Sequence, residues 1–185
     1  MLRSLIIVLL CIASLHFAEA QSLQKLYPVS FSDVVINDDF WSPRIDKVAT
    51  VTLKACIDYT ENKTGRILNF ERAAGHVKGQ HEGIYYDDSD VYKALEAMAY
   101  SLRNRPDAVL ERKADEWIDK IAAAQLPDGY LNTYYTLTGL ENRWTDMEKH
   151  EDYCAGHLIE AAIAYYNTTG KRKILDVAIR LANHI

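Results

Sequence analysis

The sequence lacks a basic stripe. Its 185 residues carry 21 Lys and Arg against 26 Asp and Glu, a formal charge of −5, and the longest basic run is the triplet Lys171-Arg172-Lys173. Nucleic-acid binding draws much of its affinity from such stripes, so that class of partner is excluded, and a neutral or polar small molecule suits the balance better. Apolar length is also short. The run from Leu5 to Phe17 cannot span a bilayer as a helix, which leaves no membrane anchor. Cysteine is sparse, with Cys11, Cys56 and Cys154 only. Cys56 and Cys154 could bridge in an oxidising compartment if their Cα atoms came within about 7 Å; otherwise they read as small buried hydrophobes.

What is present begins with a leader. Arg3 supplies a positive start, Leu5 to Phe17 an apolar centre, and Ala18-Glu19-Ala20 a small-x-small cleavage site. Residues 1–20 therefore read as a signal peptide and 21–185 as the mature chain, secreted or periplasmic. Leu9 and Leu10 stand where a lipoprotein signal needs small residues before Cys11. Two sequons, at Asn62 and Asn167, matter only in a host that glycosylates.

The hydrophobic spacing predicts an all-α domain after a short extended lead-in strand through Val29, Phe31, Val34, Val35 and Ile36. The first helix starts at Ser42-Pro43, an N-cap followed by proline, and runs to about Thr60. A second begins at the Asp88-Ser89-Asp90 cap, with Val91, Ala94, Leu95, Met98 and Leu102 on one face. A third follows Asp107 and places Leu110, Ala114, Trp117, Ile118 and Ile121 inward. Pro127-Asp128-Gly129 turns the chain into a loop reaching Lys149. The fourth helix, from His150 to about Thr168, is apolar around most of its girth and rich in small residues, so it reads as buried and closely approached. Gly170 caps it, and a fifth helix from Lys171 is still open at Ile185. Tyr59-to-Arg66 and Tyr166-to-Lys171 echo each other, as repeated helical hairpins would.

Several residues could carry chemistry. His150, Cys154 and His157 share one stripe, but the two histidines lie about 10.5 Å apart along the axis, so no metal site is read there. His157 reads as a core histidine bonded to a carbonyl. His150, opening its helix after a loop, can face a cleft and donate to a sugar hydroxyl. Asp87, Asp88 and Asp90 read as helix-capping carboxylates rather than a glycosidase pair. Glu151 and Glu160 read as solvated or paired. Trp117 reads as core. Tyr130, Tyr134 and Trp144, in the loop, are the better candidates for stacking on a sugar.

In order, Asp39-Phe40-Trp41-Ser42-Pro43-Arg44, Gly65-Arg66-Ile67-Leu68-Asn69-Phe70 with Ala73-Ala74-Gly75, Asp88-Ser89-Asp90-Val91-Tyr92-Lys93, Asp128-Gly129-Tyr130-Leu131-Asn132-Thr133 and His150-Glu151 through Gly156-His157-Leu158-Ile159-Glu160 cover almost the whole mature chain. This set resembles the amino-terminal part of glycoside hydrolase family 127, the β-L-arabinofuranosidase-like family. The resemblance implies the N-terminal portion of an (α/α)6 toroid and an exo-acting, retaining hydrolase of non-reducing-end sugars. It also implies a cysteine nucleophile on zinc and a glutamate acid/base, all outside this chain. By the same resemblance, no catalytic residue and no cofactor belongs to these 185 residues, and zinc belongs to the complete domain. As a fragment it would not turn over substrate alone. His150 is the position implied to face the sugar. The rival readings are a non-catalytic helical binding or interaction module, and another toroid enzyme such as an epimerase or lyase.

Overall fold

The computed structural model describes residues 26–185; the predicted leader and its predicted cleavage site lie outside them. Among the described residues, 26–34 and Val35–Ile185 belong to two separate units. In the first, the predicted lead-in strand is replaced by one 3-10 turn, Phe31–Asp33, capped by the Ser30 hydroxyl. The backbone at Val34 is extended, yet no strand occurs among the described residues, because extended backbone without a ladder partner is not a sheet.

The second unit is helical. Its first run consists of α1, Trp41–Lys47, and α2, Leu53–Asp58, joined by a π-helical turn at Val48–Thr52 and followed by another at Tyr59–Lys63. Its start is held by the Asp38 carboxylate, which accepts from the backbone N–H groups of Phe40, Trp41 and Ser42, while the Ser42 hydroxyl donates to the Ile36 carbonyl. The predicted Ser42 cap is thus replaced by Asp38 four residues earlier. There follow α3, Arg66–Ala73, α4, Asp88–Asn104, α5, Ala108–Ala124, α6, Thr133–Thr138, α7, Glu151–Thr169, and α8, Lys173–His184. Helix α5 is capped by Asp107, which accepts from Val109 and Leu110 N–H; those bonds hold its carboxyl below the usual range.

Two layers result. Near the start of α4, Lys93 reaches the Tyr153 hydroxyl near the start of α7, and towards its end the Ala99 carbonyl accepts from Thr168 near the end of α7, so α4 and α7 run the same way. Lys171 pairs with Glu111 and Asp115, Lys173 with Asp119, and Gln125 donates to the Val177 carbonyl, so α5 and α8 are also parallel. Asp46 meets Arg105 past the end of α4, while Arg66 meets Asp90 at its start, so the first run opposes α4. These ion pairs orient more than they stabilise. Cohesion comes from the apolar seam, where Leu95, Met98, Trp117, Ile121, Leu158, Ile174 and Leu181 are at most 2% exposed. Burying such a side chain contributes about 1.5–3 kcal/mol.

Helix α7 is not enclosed all round. Tyr153, Gly156, Glu160, Ile163 and Tyr166 line an exposed face, and a Cβ on Gly156 would meet nothing within 4 Å. The small-residue reading holds on the opposite side, where Ala155, Ala161, Ala162 and Ala164 are buried against their neighbours. The Tyr-Thr-Gly echo marks two helix ends with different geometry: Gly170 caps α7 at φ 73°, whereas Gly65 precedes α3 at φ −79°. Cys56 is exposed and Cys154 buried, and neither is bridged. None of the described helices is long and apolar enough to cross a membrane.

The three aspartates at the start of α4 do other work than capping. Asp87 accepts from Ile84 N–H and from Arg66, and Asp90 from Arg66. Asp88, fully buried, accepts from the Thr133 N–H at 2.7 Å and its hydroxyl at 2.5 Å, fixing the start of α6. Burial pushes its carboxyl up to about 6 against the pull of those two bonds. The fold therefore favours the protonated form, and Asp88's contribution to stability is full below the unfolded value of 3.8 and fades as pH rises through about 6. At about 1.4 kcal/mol per unit the loss amounts to about 3 kcal/mol. Urea unfolding at pH 4 and pH 7 should show this fall in the wild type but not in Asp88→Asn; equal slopes would mean that the charge is not buried as described.

Candidate functional site

The loop over 127–149 starts on Gly129, whose φ of 94° and close approach to the Arg180 carbonyl, 2.5 Å from where a Cβ would sit, admit no larger residue without strain. Beyond α6 the loop is pinned by Glu151. This carboxylate, 6% exposed, accepts from the Tyr130 hydroxyl at 2.5 Å and the Trp144 backbone N–H at 2.7 Å. Glu151 is thus paired and buried. Trp144 sits at φ 60° and His150 at φ 61°, both in the left-handed region. His150 is therefore the residue before α7 rather than part of its first turn.

That backbone turn lays the His150 ring among aromatics. Its centroid is 5.7 Å from Tyr85, 5.5 Å from Tyr86 and 5.7 Å from Tyr153. Tyr134 joins through Tyr85 at 6.1 Å and packs edge-on to His81 at 5.3 Å. Lys149 lies 4.5 Å over the Tyr85 ring, and Lys93 holds the Tyr153 hydroxyl at 2.5 Å. His150 Nδ1 is 2.6 Å from the Glu148 carbonyl, which can only accept, so Nδ1 carries the proton of the neutral ring. Its free Nε2 then accepts a hydrogen bond, reversing the donor role read from the sequence. Burial lowers the pKa of His81 despite the opposing pull of Asp87, keeping that ring neutral near pH 7.

The four predicted sugar-facing residues fall in two places. His150 and Tyr134 share this half-buried shelf. Tyr130 is fully buried, its hydroxyl engaged by Glu151, and is a packing residue rather than an open platform. Trp144 is 38% exposed but turned away, edge-on to Tyr130 at 5.7 Å and stacked on His184, to which its indole N–H donates at 3.2 Å. His81, Tyr85, Tyr86, Lys93 and Lys149 had no signal of their own in the sequence. Trp117 is core, and Trp41 is exposed against Phe40. His157 is no carbonyl-bonded core histidine: its Nδ1 lies 3.3 Å from Glu160.

The shelf is open, not hollow. A cavity of about 540 Å³ lies beside it, lined by Thr64, Arg66, Glu82, Gly83, Ile84 and Asp87, and excludes His150. Arg66 there is already claimed by Asp87 and Asp90. The shelf carries the better chemistry for a polyol, since flat rings and hydrogen-bonding groups converge on it. The cysteines do not fit a thiolate–zinc centre. Cys154 is buried with its pKa driven up by desolvation and its S–H directed at the Tyr86 carbonyl, while Cys56 is exposed on α2.

Comparison with known proteins returns one consistent answer. Residues 33–185 match the family described as β-L-arabinofuranosidase, GH127 catalytic domain. A non-reducing end β-L-arabinofuranosidase of Bifidobacterium longum subsp. longum is 34% identical over 176 aligned positions, covering 82% of this chain and 26% of that protein. The crystal structure of a GH127 β-L-arabinofuranosidase from Geobacillus stearothermophilus T6 is 42% identical with a TM-score of 0.80, over 82% of this chain and 25% of that one. Another GH127 β-arabinofuranosidase structure is 40% identical with a TM-score of 0.77, over 84% and 26%. The chain spans about a quarter of the length of these relatives.

Replacing Glu151 by Ala should cost about 2–4 kcal/mol in urea unfolding, because it leaves a buried phenol and the Trp144 N–H unpaired. The fluorescence of Trp144 should shift with it, and an unchanged unfolding midpoint would remove Glu151 as the loop's anchor.

Proposed function

The chain belongs to the GH127 β-L-arabinofuranosidase family, and on that premise we propose that it is the substrate-facing N-terminal portion of a secreted glycoside hydrolase acting on non-reducing-end sugars of glycans. The parallel layers α4/α7 and α5/α8 suit successive hairpins of an (α/α)6 toroid, with α4 and α7 in the inner ring. Export rests on the leader read over residues 1–20. In this reading the chain supplies binding and no bond-breaking group, and the zinc, its thiolates and the acid/base glutamate come from elsewhere in the domain.

The observation that carries the reading is the left-handed His150, whose Nδ1 proton is committed to the Glu148 carbonyl, leaving Nε2 as an acceptor, and whose ring packs among Tyr85, Tyr86 and Tyr153, with Tyr134 against Tyr85. A furanose ring can lie on the phenol faces while a hydroxyl donates to Nε2. A single such bond contributes about 1 kcal/mol, roughly fivefold in affinity.

Titrating the chain with methyl β-L-arabinofuranoside, followed by NMR, should shift the resonances of His150, Tyr85 and Tyr134, and His150→Ala should weaken binding about fivefold. Shifts confined to other residues, or affinity indifferent to His150→Ala, would remove the shelf as the sugar site.

A further inference from the structure

We propose that Glu96, His157 and Glu160 bind one divalent transition-metal ion of the zinc type, clamping α4 to α7. Glu96 projects from α4. His157 and Glu160, three residues apart, share one face of α7. One ligand atom from each lies within 4.8 Å of the other two. His157 Nδ1 and Glu160 Oε2 are 3.3 Å apart. Two ligands on a tetrahedral ion at about 2.0–2.1 Å are separated by about 3.3 Å, so this pair already has the spacing of a shared ion.

A second observation points the same way. His157 Nδ1 is sealed from solvent and makes no hydrogen bond, although Glu160 is close. Buried polar atoms are nearly always paired. A neutral ring protonated on Nε2 leaves the Nδ1 lone pair against the Glu160 carboxylate, an arrangement that a cation satisfies and a further acceptor does not. The ring is held by Tyr153, edge-on at 4.5 Å, and the Tyr100 hydroxyl donates to Glu96 one turn along. Such supports fix the direction of a ligand. One nitrogen and two oxygens suit zinc with a fourth position left for water, and Glu160, 63% exposed, leaves an entry path.

Tyr153 borders both this site and the shelf around His150, but none of the three ligands belongs to the shelf and no cysteine is used, so the site does not rest on the sugar-binding reading. An ion held by the folded chain alone raises its stability by mass action.

The test uses the full chain carrying Cys11→Ser and Cys56→Ser, stripped with EDTA and titrated with Zn²⁺ against a chromophoric chelator. The expected result is one ion per chain and a rise in Tm that EDTA reverses. Glu160→Gln and His157→Gln should each weaken binding at least about tenfold. Glu160 is exposed, so its variant keeps the fold and decides the matter if His157→Gln does not. Absence of one-to-one binding, or undiminished affinity in Glu160→Gln and Glu96→Gln, overturns the proposal.

Discussion

Two carboxylates buried at the starts of neighbouring parallel helices hold the loop on which the candidate site is built. Asp88, at the head of α4, takes both the backbone and the hydroxyl of Thr133, and Glu151, at the head of α7, takes Tyr130 and the backbone of Trp144. Desolvating a carboxylate is costly, and these are tolerated because each accepts two strong hydrogen bonds near the positive end of a helix. Tyr130, Leu131 and Tyr135 bury the apolar part of the segment between the helices, and the two carboxylates fix its polar groups. Tyr134 and His150 then both pack against Tyr85, at 6.1 and 5.7 Å.

Parallel layering makes this possible. Because α4 and α7 run together, their N-termini lie side by side, and whatever precedes each helix is brought to a common rim. The 81–87 turn before α4 brings His81, Tyr85 and Tyr86; the loop before α7 brings Lys149 and His150. Lys93 and Tyr153, one turn into each helix, close the group from below.

Long elements were legible in the sequence and short ones were not. Helices α4, α5, α7 and α8 each repeat apolar residues at helical spacing, and the structure places them within three residues of where that spacing puts them. Helices α3 and α6 escaped because they are held by ties that periodicity cannot express: Asn69 with the backbone of Glu82, and Asp88 with Thr133. The lead-in strand was read from β-branched and aromatic residues, and propensity without a partner does not make a sheet. At the site, His150 was legible from its place at a loop-to-helix junction. Tyr130 and Tyr134 look equivalent in sequence, and only the capture of one by a buried glutamate separates them. His81, Tyr85 and Tyr86 lie in an aperiodic turn, so nothing local marked them.

The left-handed backbone at His150 has an evolutionary corollary. At φ 61° and ψ 31° a β-branched or bulky residue is strained, while glycine, asparagine, aspartate and histidine are accommodated. Drift at this corner is thereby biased towards a short alphabet, and of those four letters histidine alone offers an aromatic face together with a lone pair on nitrogen. Selection for a different ligand would have to rework the tyrosines around it, since this backbone corner favours so few alternatives.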